Sequence, residues 1–210
     1  VEVAMAADIE DINIVQRPNG KVRESTAIAG LLLDGEKLDH AMPDAVQDPK
    51  IGLIAADIDV PDYAQQLNVQ LKDNSGVKDF IDSRNAQLVE IGERLTQTGM
   101  NVLFCSREVH PAVIEHLAAN NAYAVRRVRK SDMEALSKAT GARIVMNIDT
   151  FSTKDLGTAG LLEEVSIGER PMIKITDTPN KSTVSVLVRA PTHHVVEEIK
   201  RAFDDAIGVV

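Results

Sequence analysis

Aromatic residues are scarce in this chain, at 3% of 210 residues, and tryptophan is absent. No platform for stacking nucleic-acid bases is on offer. Positive charge is also in deficit: 23 lysines and arginines face 32 acidic residues, a formal net charge of −9. A phosphate-tracking surface needs the opposite balance, which argues against a nucleic-acid binder. A single cysteine, Cys105, rules out an intramolecular disulfide framework and a cysteine-based metal site. At the end of an apolar run, it is expected to be a small buried hydrophobe. No apolar stretch approaches the roughly 20 residues that span a bilayer, and no basic segment ahead of an apolar one marks a secretory signal. A cytoplasmic location is expected. The phosphate cradles G-x-x-x-x-G-K-[ST] and G-x-G-x-x-G are missing as well.

What is present is an ordinary globular composition, 44% hydrophobic and 26% charged, in a chain long enough to bury a real core. The most informative stretch runs from Asn101 to Val145. Asn101–Cys105 is a short apolar strand. Pro111 opens a helix, where its missing N–H costs nothing; Val113, Ile114 and Leu117 follow at helical spacing, and Asn120-Asn121 stop it. Tyr123–Val128 alternates like a half-buried strand. Ser131 is expected to cap the next helix in a box with Glu134, with Met133, Leu136 and Ala139 as the inner stripe. Gly141 closes that helix, and Arg143–Met146 is the third strand. Two strand-to-helix crossovers in so short a span imply a parallel or mixed sheet with helices packed on it, an α/β fold.

Further strands are expected at Asp11–Gln16, within Thr26–Asp34, at Lys50–Asp57, Glu163–Glu169, Pro171–Thr176 and Ser182–Arg189. Asn147–Gly160 is loop-like. From Ser75 to Thr98 the pattern is helical, but the polar run Asp82–Asn85 interrupts its apolar stripe. Spacing alone leaves two readings of this helix: packed throughout, or leaving the body of the protein. Thr192 caps a last helix in which Val195 or Val196, Ile199, Phe203 and Ile207 share a face.

The histidines build no metal site. His193 and His194 are adjacent and diverge by about 100° on a helix, and His110 and His116 are six apart rather than four. His40 stands alone in a turn. Surface or capping roles are expected, and no metal. Arg126, Arg127, Arg129 and Lys130 form a basic knot, small for a nucleic-acid patch and expected rather to pair with local acids or a neighbouring subunit. On its own residues the chain could also be a stand-alone α/β enzyme domain binding a small ligand at a strand-end loop such as Asn147–Asp149. No convergent set of His, Asp and Ser marks such a site. The chain starts without Met and ends in a helical pattern, as an excised piece of a longer protein would.

The motif VRRVRKSDMEALSKATGARIV, preceded by TQTGMNVLF, resembles the apical domain of a group II, thermosome-type chaperonin subunit. GLLLDGEKLDHAMPDAVQDPKIGLIAADIDV upstream and STVSVLVRAPTHHVVEEIKRAFDDAIGVV downstream extend the likeness over nearly the whole chain. The resemblance implies a layered sheet flanked by helices, with residues 1–25 as connecting strands and 26–182 as the apical domain. Residues 183–210 would be an intermediate-domain strand and helix. It implies an extended arm at Val60–Leu71 and favours the outgoing reading of the polar-interrupted helix, as a lid protrusion at about 67–99 carrying Val77, Phe80 and Ile81.

By the same likeness the parent subunit would hydrolyse ATP with Mg2+ and fold unfolded clients in a double ring of subunits. The Gly-Asp-Gly-Thr-Thr loop by which such subunits hold ATP is not in this chain, which alone should be inactive. Asp204-Asp205-Ala206 matches the family's acid-Asp-Ala pattern, implying Asp205 as general base for the attacking water. Val109, Val113, Ile114 and His116, about the helix from Pro111, would form an adaptable client-binding surface.

Overall fold

The computed structural model describes residues 12–60, 74–168 and 170–207, with the backbone alone at 74–82 and 207. In chain order the elements are β1 (Ile12–Arg17), β2 (Thr26–Ala29), β3 (Leu31–Asp34), β4 (Ala45–Gln47) and β5 (Lys50–Ile54). Helix α1 (Asn74–Gln97) leads to β6 (Val102–Cys105), α2 (Pro111–Ala119), β7 (Tyr123–Val125), α3 (Lys130–Thr140) and β8 (Ile144–Val145). The chain ends in β9 (Gly157–Thr158), β10 (Leu161–Ile167), β11 (Arg170–Thr176), β12 (Val184–Arg189) and α4 (His193–Ile207). The fold is α/β.

Strands β7, β6, β5 and β8 lie side by side in that order, all parallel, with β9 antiparallel to β5. Their side chains alternate between two cores, as a period of two requires. Ile51, Leu53, Val102, Phe104, Tyr123 and Val125 face Met133, Leu136 and Ala139 of α3. Ile54, Leu103, Cys105 and Ala124 face Leu88 and Leu95 of α1 and Val113 and Leu117 of α2. Each large side chain so buried contributes about 1.5–3 kcal/mol. Gly52 leaves room on the helix side: a Cβ there would sit 2.6 Å from the Met100 sulfur and 2.7 Å from the Phe151 ring.

A second sheet, in the order β3-β11-β10-β4, is antiparallel. It turns Leu31, Leu33, Leu162, Ile173 and Ile175 toward the α3 side of the parallel sheet. Its opposite face offers Leu32 and Met172 to Val15 and Leu187 of a third sheet, ordered β1-β12-β2. Helix α4 covers the far side of that sheet, with Val196 and Ile199 against Ile14, Val186 and Val188. The Thr192 hydroxyl accepts from the Val195 N–H at 3.4 Å, the cap expected there. Of the two valines, Val196 is the buried one and Val195 is exposed.

Several local expectations need correction. Helix α3 starts after Arg129, not Ser131: the Arg129 carbonyl accepts from the Met133 N–H at 3.0 Å, and no side chain caps the helix. Ser131 lies inside the first turn, where its hydroxyl can reach only the Asp132 carboxylate, at 3.5 Å. Strand β7 stops at Val125 and is buried throughout rather than half-buried, because helices pack on both faces of its sheet. Asn147–Gly160 carries two short 3-10 turns and β9. Helix α1 is continuous through Asp82–Asn85; among its described side chains Leu88 is the first buried one, and residues 85–87 are exposed. The side chains of Val77, Phe80 and Ile81, and the arm beyond Val60, lie outside the described residues.

Candidate functional site

From β5 through β6 to β7 the parallel sheet grows in one direction, with α1 and α2 on one face. The chain then crosses by α3 on the other face and lays β8 against the free side of β5. The order therefore reverses between β5 and β8. Open α/β sheets bind ligands at the carboxyl ends of the strands flanking such a reversal. A cleft of about 630 Å3 lies there, reached by Ala55 after β5, Ser106 after β6, Val128 after β7 and Met146 after β8.

Met133 and Val128 floor this cleft and are buried, whereas Met146 is 79% exposed. An unbranched thioether at a rim adapts to many apolar shapes. Charges surround the apolar floor. Arg107, Arg127, Lys130 and Glu134 line the cleft, and the basic knot is largely paired with local acids. Arg126 lies 3.6 Å from Glu108, which also binds Arg127. Arg129 reaches Asp132 at 2.9 Å and Asp34 at 3.5 Å, and Lys130 reaches Glu134 at 3.6 Å.

The client surface expected about α2 needs revision. Val109 and Val113 are buried at 2% and 0% exposure, and Ile114 is buried beside them. All three belong to the core between α1, α2 and the parallel sheet. The reason is that α2 is sandwiched: its apolar stripe meets the sheet and α1 together, leaving no apolar face for a ligand. His116 is half-buried over Gly92 of α1, where a Cβ would sit 2.7 Å from its ring. His110 caps α2, its Nδ1 accepting from the Ala112 N–H at 3.2 Å.

The strand-end loop Asn147–Asp149 spends its polar groups on itself and on α1. The Asn147 side chain accepts from the Asp149 N–H at 2.9 Å, and Asp149 pairs with Arg94 of α1 at 3.0 Å. The small-ligand enzyme reading therefore has no support at this loop. On α4, Asp205 is exposed, while Asp204 lies 3.8 Å from Lys200. Among the described residues no three His, Cys, Asp or Glu are grouped to hold a metal, and no helix is long and apolar enough to cross a membrane.

Sequence reasoning passed over Met146. Its signal was its place: the residue directly after the last parallel strand, apolar in a run (Ile144, Val145, Met146) too short to bury every member.

The sequence model of the TCP-1/cpn60 chaperonin family matches residues 1–210. A thermosome subunit of Methanocaldococcus jannaschii is 37% identical over 203 residues, 97% of this chain and 38% of its own length. A thermosome subunit beta of Methanothermobacter thermautotrophicus is 38% identical over 201 residues, 96% of this chain and 37% of its own. Among solved structures, the open-state monomer of a group II chaperonin from Methanococcoides burtonii superposes with a TM-score of 0.80 at 32% identity. That match covers 96% of this chain and 44% of that one. The chain thus spans under two-fifths of the length of these curated relatives.

Proposed function

Because this chain belongs to the TCP-1/cpn60 chaperonin family, we propose that it is the client-binding, lid-bearing portion of a group II chaperonin subunit. The full-length subunit would assist folding inside a double ring, driven by ATP and Mg2+ bound outside this chain. Its partners would be unfolded polypeptides and other subunits, in the cytoplasm.

One observation carries the client-binding part: the cleft at the carboxyl ends of the parallel strands combines an apolar floor, an exposed methionine and a charged rim. Unfolded chains share exposed apolar area rather than a shape. A shallow, adaptable apolar site fringed by charge can hold many of them weakly. Met146, with the floor of Met133 and Val128, takes the role that the buried Val109, Val113 and Ile114 cannot. His116, at the α1–α2 seam, stays a candidate contact at the base of the protrusion.

The expected boundary between residues 25 and 26 is better drawn at Gly30, where the chain leaves the sheet of β1 and β12 for that of β3. The sheet of β1, β2 and β12 with α4 would then be the intermediate-domain part. Residues 31–182 would be the apical part, with the lid at about 67–99 and Val77, Phe80 and Ile81 its apolar contacts.

The test is light scattering from a chemically unfolded client diluted into buffer with this 210-residue chain. The chain should suppress aggregation without ATP and turn over no ATP. Met146→Asp should weaken suppression while leaving the melting temperature unchanged, since its side chain is mostly in solvent. Undiminished suppression by that variant would remove the cleft from the client site.

A further inference from the structure

A second cleft, of about 890 Å3, opens between β1, α4 and the turn joining β10 to β11. Arg17, Arg129, Arg170, Arg189, His193 and Lys200 line it, and Asp34 is the one carboxylate among its described lining residues. Five permanent cations thus face one acid, on a chain whose net charge is −9. Like charges repel, and concentrating them in a cleft focuses a field that attracts anions.

The local acids match only part of this cluster. Asp34 is shared by Arg17 and Arg129, Arg129 also reaches Asp132 at 2.9 Å, and His193 lies 3.4 Å from Glu197. Arg189 reaches Glu24 at 3.4 Å and the Asn19 carbonyl at 3.3 Å. Lys200 reaches Asp204 at 3.8 Å. Arg170 has no carboxylate partner among the described residues. The Nε of Arg17 is buried and meets no acceptor among them. Buried donors are ordinarily paired.

The pocket is also built rather than incidental. The Arg189 side chain is 7% exposed. A Cβ at Gly20 would fall 2.4 Å from its guanidinium, and one at Gly168 3.1 Å. Gly168, at φ +71°, holds the left-handed backbone that favours glycine. Burial, then Arg170, Arg129 and Arg189, hold Arg17 below its ordinary value, so this charge is repelled where it stands.

We infer that this cleft binds a multivalent phosphate-type oxyanion, a short condensed-phosphate chain bridging Arg17 and Arg189 on one side to Arg129 and Arg170 on the other. Planar guanidinium forks match phosphate oxygens in pairs, and the volume is that of a small-ligand site. No Tyr, Phe or Trp lines the cleft among the described residues, so the phosphates and not a nucleoside base are recognised. Arg17, Arg189 and Lys200 belong to the sheet of β1 and β12 with α4, whereas Arg129 directly precedes α3 and Arg170 opens β11. A bound anion would tie these two parts together.

Calorimetric titration of the 210-residue chain with tripolyphosphate at low salt tests this. Saturable binding is expected, with a rise in melting temperature on ligand addition. Arg170→Gln with Lys200→Gln, both away from the core, should weaken binding by about tenfold or more and leave the ligand-free melting temperature and client holding unchanged. Lys154→Gln with Lys181→Gln makes the same change in net charge outside the cleft and should bind as the wild type does. ATP should bind no more tightly than tripolyphosphate. Absence of saturable binding up to millimolar ligand, or equal weakening in both double variants, would overturn the inference. So would a marked preference for ATP, or a hexaglutamate peptide binding as tightly as the phosphate chain.

Discussion

Burial pushes the Cys105 thiol up to about 11, from an ordinary 9.0; the Arg107 amide opposes the shift, and Asp57 and Glu108 add to it. The thiol donates to the Ala56 carbonyl at 3.2 Å. A folded-state value raised above the unfolded one gives stability that is complete below about pH 8.5 and lost as pH climbs toward 11, because only the unfolded chain ionises in that window. Tyr123 is raised as well, by burial first and then by Glu164, but its unfolded value near 10 puts its effect higher. Urea midpoints measured from pH 8 to pH 10 should therefore fall for the wild type and fall less for Cys105→Ala, whatever that variant's stability at pH 8. Parallel declines would mean that the thiol ionises as freely in the fold as outside it. Asp205 is the contrasting residue, exposed on α4 with no partner among the described residues. In the full-length subunit, Asp205→Ala should leave ATP binding intact and cut hydrolysis by roughly 10²-fold or more, the scale of a lost general base. Asp204→Ala is the control, since its carboxylate lies about 100° around the helix and leans on Lys200. Equal hydrolysis by wild type and Asp205→Ala would defeat the assignment.

Between elements, the sharpest constraint is Gly30, where β2 ends in one sheet and β3 begins in another. Its φ is +129°, and a Cβ there would fall 2.1 Å from the Ile175 carbonyl oxygen. Gly30→Ala should destabilise the chain by about 1–3 kcal/mol from backbone strain alone, with the contact adding to it. Thermal unfolding measures this, and a melting temperature within error of the wild type would show that the two sheets are not locked there. Elements of this kind differ in how far sequence reveals them. The succession β6-α2-β7-α3-β8 was legible because apolar spacing, Pro111 and Gly141 act within a few residues of the structure they set. The start of α3 was misplaced because Ser131 and Glu134 offered a local box that the backbone of Arg129 pre-empts. Burial of Val109 and Val113 was illegible for another reason: it depends on α1 returning to cover α2, a long-range contact without a local signature. Both clefts share that difficulty. Arg17, Arg129, Arg170 and Arg189 are scattered over 173 positions (17 to 189) and meet only once three sheets have stacked.

At the scale of the whole molecule, client holding and ATP turnover should be separable, because they are assigned to opposite ends of a layered stack. The cleft with Met146 lies at the carboxyl ends of the parallel sheet. Asp205 lies on α4, beyond the antiparallel sheet and the sheet of β1 and β12. No side chain is shared between them, and substitutions at well-separated sites act independently. In the full-length ring, Met146→Asp should therefore reduce capture of an unfolded client and leave steady-state ATP hydrolysis near the wild-type rate in the absence of client. Asp205→Ala should do the reverse, holding client in the open ring while hydrolysis and the release that depends on it fail. The double variant should show both losses at their single-variant sizes. Client capture by filter retention and phosphate release measured on the same preparations decide the matter. If Met146→Asp slowed hydrolysis without client present, the two ends of the stack would be coupled through the intervening sheets. Gly30, the junction between two of those sheets, would then be the first place to look for that coupling.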